Sequence, residues 1–364
     1  MDKDMGLGLF RDLGVRLLLI SVFFLCLKGP AHARYAAIIM NAHTGQIIHQ
    51  ENPDKITHPA SLTKMMTLYK AFQALANGKL TFNQLLPVSR HASCQAPCKL
   101  GLRAGQTIKV KDAMMALITK SANDAAVVLA EALGKTESQF AIQMTAQAKQ
   151  LGMRHTVFKN ASGLPNYQQV TTARDMAKLS QALIQHFPNY YGYFSARDFQ
   201  FKGKSHRNHN HLVGEVIGYG KNGPVIVDGI KTGFINASGF NLAASAKHSK
   251  DRLIGVVMGG DNRHWRDRRM KQLLTWAFGV EESTPCLINA SASIGERGVP
   301  PPHPPQSFGK KAVKQKKKKP HIKKGKQKAS KKNKAKPKAK KKTKPIKKAK
   351  PKKNSKKRVP VKKA

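Results

Sequence analysis

The sequence predicts an α+β fold in which helices cover an antiparallel sheet, followed by a disordered basic C-terminal tail. Two features predict the folded part: β-prone runs joined by short turns lie near both ends of residues 34–280, and segments with helical apolar spacing lie between them. The third feature is charge. Residues 310–364 hold 30 Lys and Arg and no acidic residue, whereas residues 34–309 hold 32 basic and 16 acidic residues. A segment so basic and so poor in apolar residues cannot bury enough surface to fold.

The first 33 residues have the features of a secretory signal sequence. Arg11 and Arg16 precede an apolar stretch from Leu17 to Leu27, and Ala31-His32-Ala33 fits the small-x-small cleavage rule. The apolar stretch is short for a membrane span, so cleavage is the main expectation and an uncleaved anchor is the alternative. We therefore expect the bulk of the chain to be exported to the periplasm or the cell envelope.

The first half of the folded segment begins with a predicted hairpin, formed by residues 35–41 and 46–50. A helix is predicted to begin near Ser61 and to end near Asn77-Gly78. Residues 81–109 contain several prolines and glycines and are predicted to be irregular surface excursions. Further helices are predicted at 111–119, 124–133, 138–151 and 173–185, the last one opened by a capping box at Thr172.

The second half predicts the main part of the sheet. Residues 198–212 are polar and fit a strand or a loop. Three β-prone segments, 225–232, 240–247 and 252–258, are joined by glycine-bearing turns and predict an antiparallel meander. Apolar periodicity over 265–278 predicts a final helix. Residues 281–309 include the run Pro300 to Pro305 and are predicted to be a stiff linker to the tail.

Ser61 and Lys64 form a Ser-x-x-Lys sequence at the start of the first predicted helix. A serine hydroxyl is a poor nucleophile unless a base lies within hydrogen-bond reach. Residues three apart share a helix face, so Lys64 is a candidate base for Ser61. The pattern is weak by itself, because a serine cap followed by a solvated lysine produces it too.

Two later motifs strengthen this hypothesis. Ser121-Ala122-Asn123 lies on a predicted connection between helices, and Lys231-Thr232-Gly233 ends a predicted strand. This set, in this order, is typical of penicillin-binding proteins and class A β-lactamases. Similarity to one family of penicillin-binding proteins extends beyond these motifs to six segments, 35–41, 58–66, 99–102, 162–165, 172–176 and 228–234. Over residues 35–279 the chain resembles the serine-type D-alanyl-D-alanine carboxypeptidases of peptidase family S11, the low-molecular-mass penicillin-binding proteins.

The resemblance implies a β-lactamase/transpeptidase-like fold and an acyl-enzyme mechanism that removes the terminal D-alanine from peptidoglycan stem peptides. It implies Ser61 as the nucleophile, Lys64 as its base and Ser121 as a proton relay. The implied substrate-binding residues are Asn123, Lys231, Thr232, Gly233 and Phe234.

In this mechanism the backbone N–H groups of Ser61 and Phe234 form the oxyanion hole, while Lys231 and Thr232 meet the terminal carboxylate. Burial beside Lys231 is expected to lower the pKa of Lys64, as a lysine base requires. This chemistry needs neither a metal nor another cofactor.

A missing acid separates the chain from the β-lactamases. Class A enzymes use a glutamate between the second and third motifs to drive deacylation. No glutamate occurs from Ser138 to Gly214. We therefore expect β-lactams to act as trapping inhibitors rather than as rapidly hydrolysed substrates.

Two sets of residues in the folded segment allow other interpretations. His206, His209 and His211 alternate and suggest metal ligands, but a solvated or groove-lining strand is the favoured interpretation. Cys94 and Cys98 could close a small disulfide in an oxidising compartment, and the sequence leaves that pairing open.

The lysine-rich tail has several possible partners. It could tether the protein to anionic lipid headgroups or acidic envelope polymers, or act only as a solubilising extension. Nucleic acid is not an expected partner of an exported protein, although a polycation binds it without sequence preference. An endopeptidase that cuts D-alanyl cross-links and a basic binding protein with a vestigial catalytic fold are the alternative functions.

Overall fold

The computed structural model describes residues 35–282. The predicted signal sequence and tail, and all but the first two residues of the predicted linker, lie outside the described residues, so those predictions stay untested. The helices are α1 Thr63–Ala76, α2 Arg90–Ser93, α3 Val110–Ile118, α4 Asn123–Gly134, α5 Glu137–Gln150, α6 Ala173–His186, α7 Pro188–Tyr191 and α8 Arg263–Phe278, with 3-10 turns at Ala60–Leu62 and Gly192–Ser195. No helix within residues 35–282 is long and apolar enough to cross a membrane.

The main sheet contains the predicted hairpin and meander, together with two strands that were not predicted, Val216–Gly220 and Glu281–Glu282. Its strands are β1 Ala36–Asn41, β2 Ile47–Glu51, β7 Val216–Gly220, β8 Gly223–Ile235, β9 Gly239–His248, β10 Asp251–Gly260 and β11 Glu281–Glu282. Their antiparallel order is β11-β7-β8-β9-β10-β1-β2, which places the N-terminal hairpin beside the last strand of the meander. The register pairs Ile38 with Val256 across β1 and β10, and Thr232 with Leu242 across β8 and β9.

Two short hairpins lie outside the main sheet, one in a region predicted to be irregular and one in residues 198–212, where a strand or a loop was predicted. Residues 81–109 are not irregular throughout: β3 Leu85–Pro87 pairs with β4 Thr107–Lys109, and the short helix α2 lies between them. β5 Asp198–Phe201 and β6 Lys204–Arg207 form a second small hairpin. Strands of three or four residues give too short an alternation for a pattern in the sequence to reveal.

Both faces of the main sheet are buried. Along β1, Ala36, Ile38 and Met40 join the core formed with α1, α3, α4 and α6, whereas Ala37 and Ile39 join a second core beneath α8. Side chains alternate between the two faces of a strand, so a strand buried on both faces is apolar throughout. This explains why residues 36–40 form an uninterrupted apolar run.

Side-chain caps fix the ends of the helices that cover the sheet. Thr172 Oγ1 accepts the Asp175 N–H at the start of α6, as the capping-box pattern predicted. Asn262 caps α8 in the same way, and Gly279 ends α8 with a left-handed φ of 64°. Helix α1 has no side-chain cap, because its chain enters directly from the 3-10 turn Ala60–Leu62.

Candidate active site

Ser61 lies in the 3-10 turn that leads into α1, and Lys64 lies one turn later. The Lys64 side chain is fully buried. Its Nζ donates to Ser61 Oγ at 3.0 Å, to Asn123 Oδ1 at 2.7 Å and to the Ser162 carbonyl at 2.5 Å. The contact expected from the i, i+3 spacing is therefore present, and two further groups hold the amine in place.

These three partners determine which group can donate a proton to the Lys64 amine. The Asn123 and Ser162 oxygens only accept hydrogen bonds, so a neutral amine must direct its two N–H groups at them. Its lone pair then faces Ser61, whose hydroxyl can donate. Burial, and next the charge of Lys231, hold the pKa of Lys64 well below its ordinary value of 10.5. The site thus favours the neutral amine that a base must be.

Lys231 is the second buried cation, on β8, with 1% of its surface exposed. Its Nζ donates to the Thr232 carbonyl at 3.2 Å. Burial is the largest influence on its pKa, which it lowers to about 7; the charge of Arg266 acts in the same direction. An anionic group bound beside Lys231 would favour its protonated form.

Ser121 reaches the site from the connection between α3 and α4, and Asn123 reaches it from the start of α4. Ser121 has a left-handed φ of 58°, which is uncommon for a residue with a side chain, and its buried hydroxyl has no hydrogen-bond partner among the described residues. Asn123 is the first residue of α4 rather than part of the connection, and its Nδ2 donates to the Ala96 carbonyl at 2.8 Å. Asn123 therefore links Lys64 to the opposite wall of the site.

Two glycines let separate segments approach Ser61. A Cβ at Gly233 would lie 3.1 Å from both the Pro59 carbonyl oxygen and Ser61 N, so β8 runs against the main chain of Ser61. A glycine at position 233 permits this close approach. Gly163 has a φ of 84°, and a Cβ there would overlap the Ala60 carbonyl. Together they place β8 and the Ser162 loop on either side of the 3-10 turn.

A cavity of about 410 Å³ brings most of the predicted site residues together. Those in its lining are Ser61, Ser121, Asn123, Thr232, Gly233 and Phe234. Lys64 and Lys231 are buried behind that surface. Phe234 is 49% exposed and stacks on Phe240 with a centroid distance of 4.3 Å, which gives the cavity an aromatic rim. Arg263 and Arg266 also line it and make it basic.

Sequence reasoning missed the residues that hold the cavity walls. Asp124 is fully buried and accepts the backbone N–H groups of Leu100, Gly101 and Leu102. Glu137 lies one residue before the glutamate-free stretch; it accepts the Ala161 N–H at 3.0 Å and contacts His91 Nε2 at 2.7 Å. The signal for Asp124 and Glu137 in the sequence was an acidic residue beside apolar helix positions. Their hydrogen-bond partners lie in distant segments, so this signal could not identify them.

The histidines do not form a cluster that suggests a metal. His209 and His211 line the cavity, whereas His206 lies on β6. Within residues 35–282, no group of three His, Cys, Asp or Glu side chains is arranged to hold a metal ion. Burial and the charge of Lys231 lower the pKa of His209 to about 4, so its ring is neutral at physiological pH. Cys94 and Cys98 are free thiols.

Comparisons with known proteins agree with the motifs. The sequence model of the Peptidase S11 family, described as D-alanyl-D-alanine carboxypeptidase, matches residues 27–262. The chain is 34% identical over 252 residues to D-alanyl-D-alanine carboxypeptidase DacA of Escherichia coli K12; the match covers 68% of this chain and 61% of that protein. The chain therefore spans less than two thirds of that relative's length.

Solved structures share the fold. Penicillin binding protein 5 of Haemophilus influenzae is 33% identical with a TM-score of 0.63, and the match covers 70% of this chain and 73% of that one. Penicillin-Binding Protein D2 of Listeria monocytogenes, solved with cefotaxime bound, is 29% identical with a TM-score of 0.60, and the match covers 69% of this chain and 99% of that one.

Proposed function

The chain belongs to the peptidase S11 family of D-alanyl-D-alanine carboxypeptidases, and we propose from this premise that it is an exported, penicillin-sensitive serine carboxypeptidase. It removes the terminal D-alanine from peptidoglycan stem peptides. The observation that carries the proposal is the arrangement of Lys64, whose buried amine contacts Ser61 Oγ while two carbonyl-type oxygens fix its other N–H groups.

In the first step Ser61 Oγ attacks the carbonyl between the two D-alanines, and Lys64 takes its proton. The negative charge that develops on the carbonyl oxygen is stabilised by the backbone N–H groups of Ser61 and Phe234. One such donor contributes about 3 kcal/mol to transition-state stabilisation. The close approach that Gly233 permits between β8 and Ser61 N supports this pairing of donors.

In the second step the leaving amine receives a proton through Ser121, whose hydroxyl is buried beside the cavity and has no hydrogen-bond partner within residues 35–282. Lys231 and Thr232 bind the terminal carboxylate, since a fixed positive charge and a hydroxyl suit an anionic end group. Asn123 holds the substrate amide and positions Lys64. Water then hydrolyses the acyl-enzyme and frees Ser61.

Penicillin sensitivity follows from the missing acid. Glu137 is engaged by Ala161 and His91, which supports a role in holding the Ser162 loop rather than in activating water. A penicilloyl group on Ser61 should therefore be released slowly. The cefotaxime-bound relative is consistent with β-lactam recognition by this fold.

The experiment that tests the proposal labels the chain with a fluorescent penicillin and follows D-alanine release from a pentapeptide. The wild-type chain should form a stable adduct and release D-alanine, and Ser61→Ala should do neither. Absence of label on the folded wild-type chain would overturn the proposal. Rapid turnover of a chromogenic β-lactam without a stable adduct would contradict penicillin trapping alone.

Export and tethering complete the proposal. The signal-like first 33 residues support export to the periplasm or envelope, where the stem peptides occur. The cationic residues 310–364 support attachment to anionic lipid headgroups or acidic envelope polymers, at about 1 kcal/mol for each basic residue near a membrane surface. Unchanged envelope association after deletion of 310–364, in both low and high salt, would rule out tethering.

A further inference from the structure

Two free cysteines lie on the segment that forms one wall of the catalytic cavity. Cys94 caps the C-terminal end of α2, and Cys98 lines the cavity with Ser61 and Ser121. Both cysteines are exposed. Neither cysteine has a part in the proposed acyl-enzyme chemistry, so that chemistry does not explain why two thiols lie on the cavity wall.

The main chain of this segment is bonded directly to a residue of the site. Asn123 Nδ2 donates to the Ala96 carbonyl at 2.8 Å, and the Asn123 N–H donates to the Cys98 carbonyl at 2.7 Å. The Oδ1 of the same side chain accepts from Lys64 Nζ at 2.7 Å. A change in the path of residues 94–98 therefore reaches the base through one side chain.

Both ends of the segment are fixed. On the N-terminal side, Ser89 Oγ accepts the Ala92 N–H and donates to Glu131, which ties α2 to α4. On the C-terminal side, the buried carboxylate of Asp124 accepts three consecutive N–H groups, from Leu100, Gly101 and Leu102. Because both ends are held by hydrogen bonds, residues 95–98 are the part of the segment that would adjust to a new bond between the two cysteines.

The position of Cys98 favours initial reaction there, because its side chain is exposed and lines the cavity, where a small-molecule disulfide can reach the sulfur. The thiolate is the form that attacks a disulfide. Cys94 lies four residues away and can supply the second thiol.

We propose that Cys94 and Cys98 form a redox-active dithiol that reacts with small-molecule disulfides and, once oxidised, slows acylation of Ser61. The Cys98 thiolate attacks one sulfur of the disulfide and releases one small thiol. The Cys94 thiolate then attacks the Cys98 sulfur of the mixed disulfide and releases the second. The cysteine pair loses two electrons and two protons, and the small disulfide is reduced to two thiols.

The geometry of the new bond gives the direction of the effect. A disulfide requires its two Cα atoms to lie within about 7 Å of each other. Four peptide links span at most about 14 Å, so the bond encloses a short ring that contains Ala96. Of the two carbonyls that accept hydrogen bonds from Asn123, that of Ala96 lies within this ring and that of Cys98 lies at its C-terminal end. Oxidation should therefore loosen the support of Lys64 and reduce the acylation rate.

The test uses the full chain, treated with oxidised or reduced glutathione, and rests on the proposed acylation of Ser61. Fluorescent-penicillin acylation should be about tenfold slower in the oxidised chain and should recover with reductant. Peptide mapping should find Cys94 linked to Cys98. Cys286→Ser, which removes a cysteine outside the pair, should keep both the link and the rate change. Cys94→Ser should have the normal reduced rate and lose the reversible link.

The two readouts separate the dithiol from the proposed function. Absence of a Cys94–Cys98 peptide after oxidation overturns the dithiol, whatever the acylation rate. A linked pair with an unchanged acylation rate also overturns the effect on Ser61. Equal inhibition of Cys94→Ser by oxidised glutathione would assign the effect to a single-thiol adduct and overturn the pair. Failure of the reduced chain to acylate at all would instead count against the proposed function.

Discussion

The protein buries cations in two contrasting environments. Arg252 on β10 is 8% exposed, and its guanidinium contacts the carboxylate of Asp228 on β8 at 2.7 Å. Lys231, three residues after Asp228 on β8, and Lys64 on α1 are more deeply buried, at 1% and 0% exposed. No carboxylate within residues 35–282 lies within ion-pair distance of either lysine amine. Strand β8 thus supplies the carboxylate of a compensated cation and, three residues later, a buried lysine that has none.

The difference between these two environments shows that a carboxylate partner would oppose the lowering of the Lys64 pKa. A carboxylate beside a buried cation offsets the cost of its desolvation, as Asp228 does for Arg252. Carbonyl oxygens hold Lys64 without supplying a full negative charge, so burial lowers its pKa. We infer that the two lysines depend on the absence of an acid, whereas Arg252 depends on its presence.

The largest effect should come from making the catalytic cation permanently charged. Lys64→Arg keeps a long basic side chain, but a guanidinium does not lose its proton in proteins and cannot act as a base. Acylation by penicillin should fall by about 10³-fold. The measurement is a single-turnover labelling rate on chains shown to be folded by circular dichroism.

Lys79→Arg is the matched control, because Lys79 is an exposed lysine that the site does not use. It should label at the wild-type rate. If Lys64→Arg also labelled at that rate, the assignment of Lys64 as the base would be wrong.

The second largest effect should be a loss of folding stability when Arg252 loses its carboxylate partner. Asp228→Asn keeps the shape of the side chain but leaves Arg252 buried without a carboxylate, and should lower the free energy of unfolding by about 3 kcal/mol. Urea titration would measure it. Lys247→Met is the control, because Lys247 contacts the same carboxylate at 3.4 Å from a largely exposed position and should cost little. Equal stability of Asp228→Asn and wild type would contradict the comparison.

The pH dependence of kcat/KM should distinguish a buried lysine that can lose its proton from a guanidinium that cannot. Lys231 loses its proton as the pH rises through about 7 in the free enzyme, which removes the charge proposed to bind the terminal carboxylate. kcat/KM should therefore fall above this value, by at most about tenfold per pH unit, and should fall at acid pH as Lys64 becomes protonated. In Lys231→Arg the alkaline fall should disappear, because the guanidinium stays charged. A fall of the same size in both proteins would show that another group causes it.

The smallest effect should come from an exposed pair. Arg174 donates to Asp54 through two hydrogen bonds of 2.7 and 2.9 Å at the surface of α6. Solvent screens such pairs, so Arg174→Ala should lower the free energy of unfolding by about 0.5 kcal/mol. Thermal unfolding would measure the change, and the catalytic rate should not move. A loss as large as that of Asp228→Asn would mean that burial does not decide the contribution of these pairs.

The amino-acid sequence alone determined the features that depend on neighbours along the chain. The spacing of Ser61 and Lys64 predicted their contact, because residues three apart on a helical turn face the same way. The Thr172 cap, the N-terminal hairpin and the meander were predicted from local patterns for the same reason. The order of the three motifs was sufficient to predict the family.

Tertiary structure decided everything that depends on segments far apart in sequence. The low pKa of Lys64 arises from burial beside Lys231, and the direction of its lone pair from the carbonyl of Ser162 and the amide of Asn123. Gly233 matters because β8 lies against Ser61 N, a contact that no local pattern contains. Ser61-Leu62-Thr63-Lys64 supplies the hydroxyl and the amine, but desolvation and the two acceptor oxygens favour the neutral form of that amine, and both arise only in the packed fold.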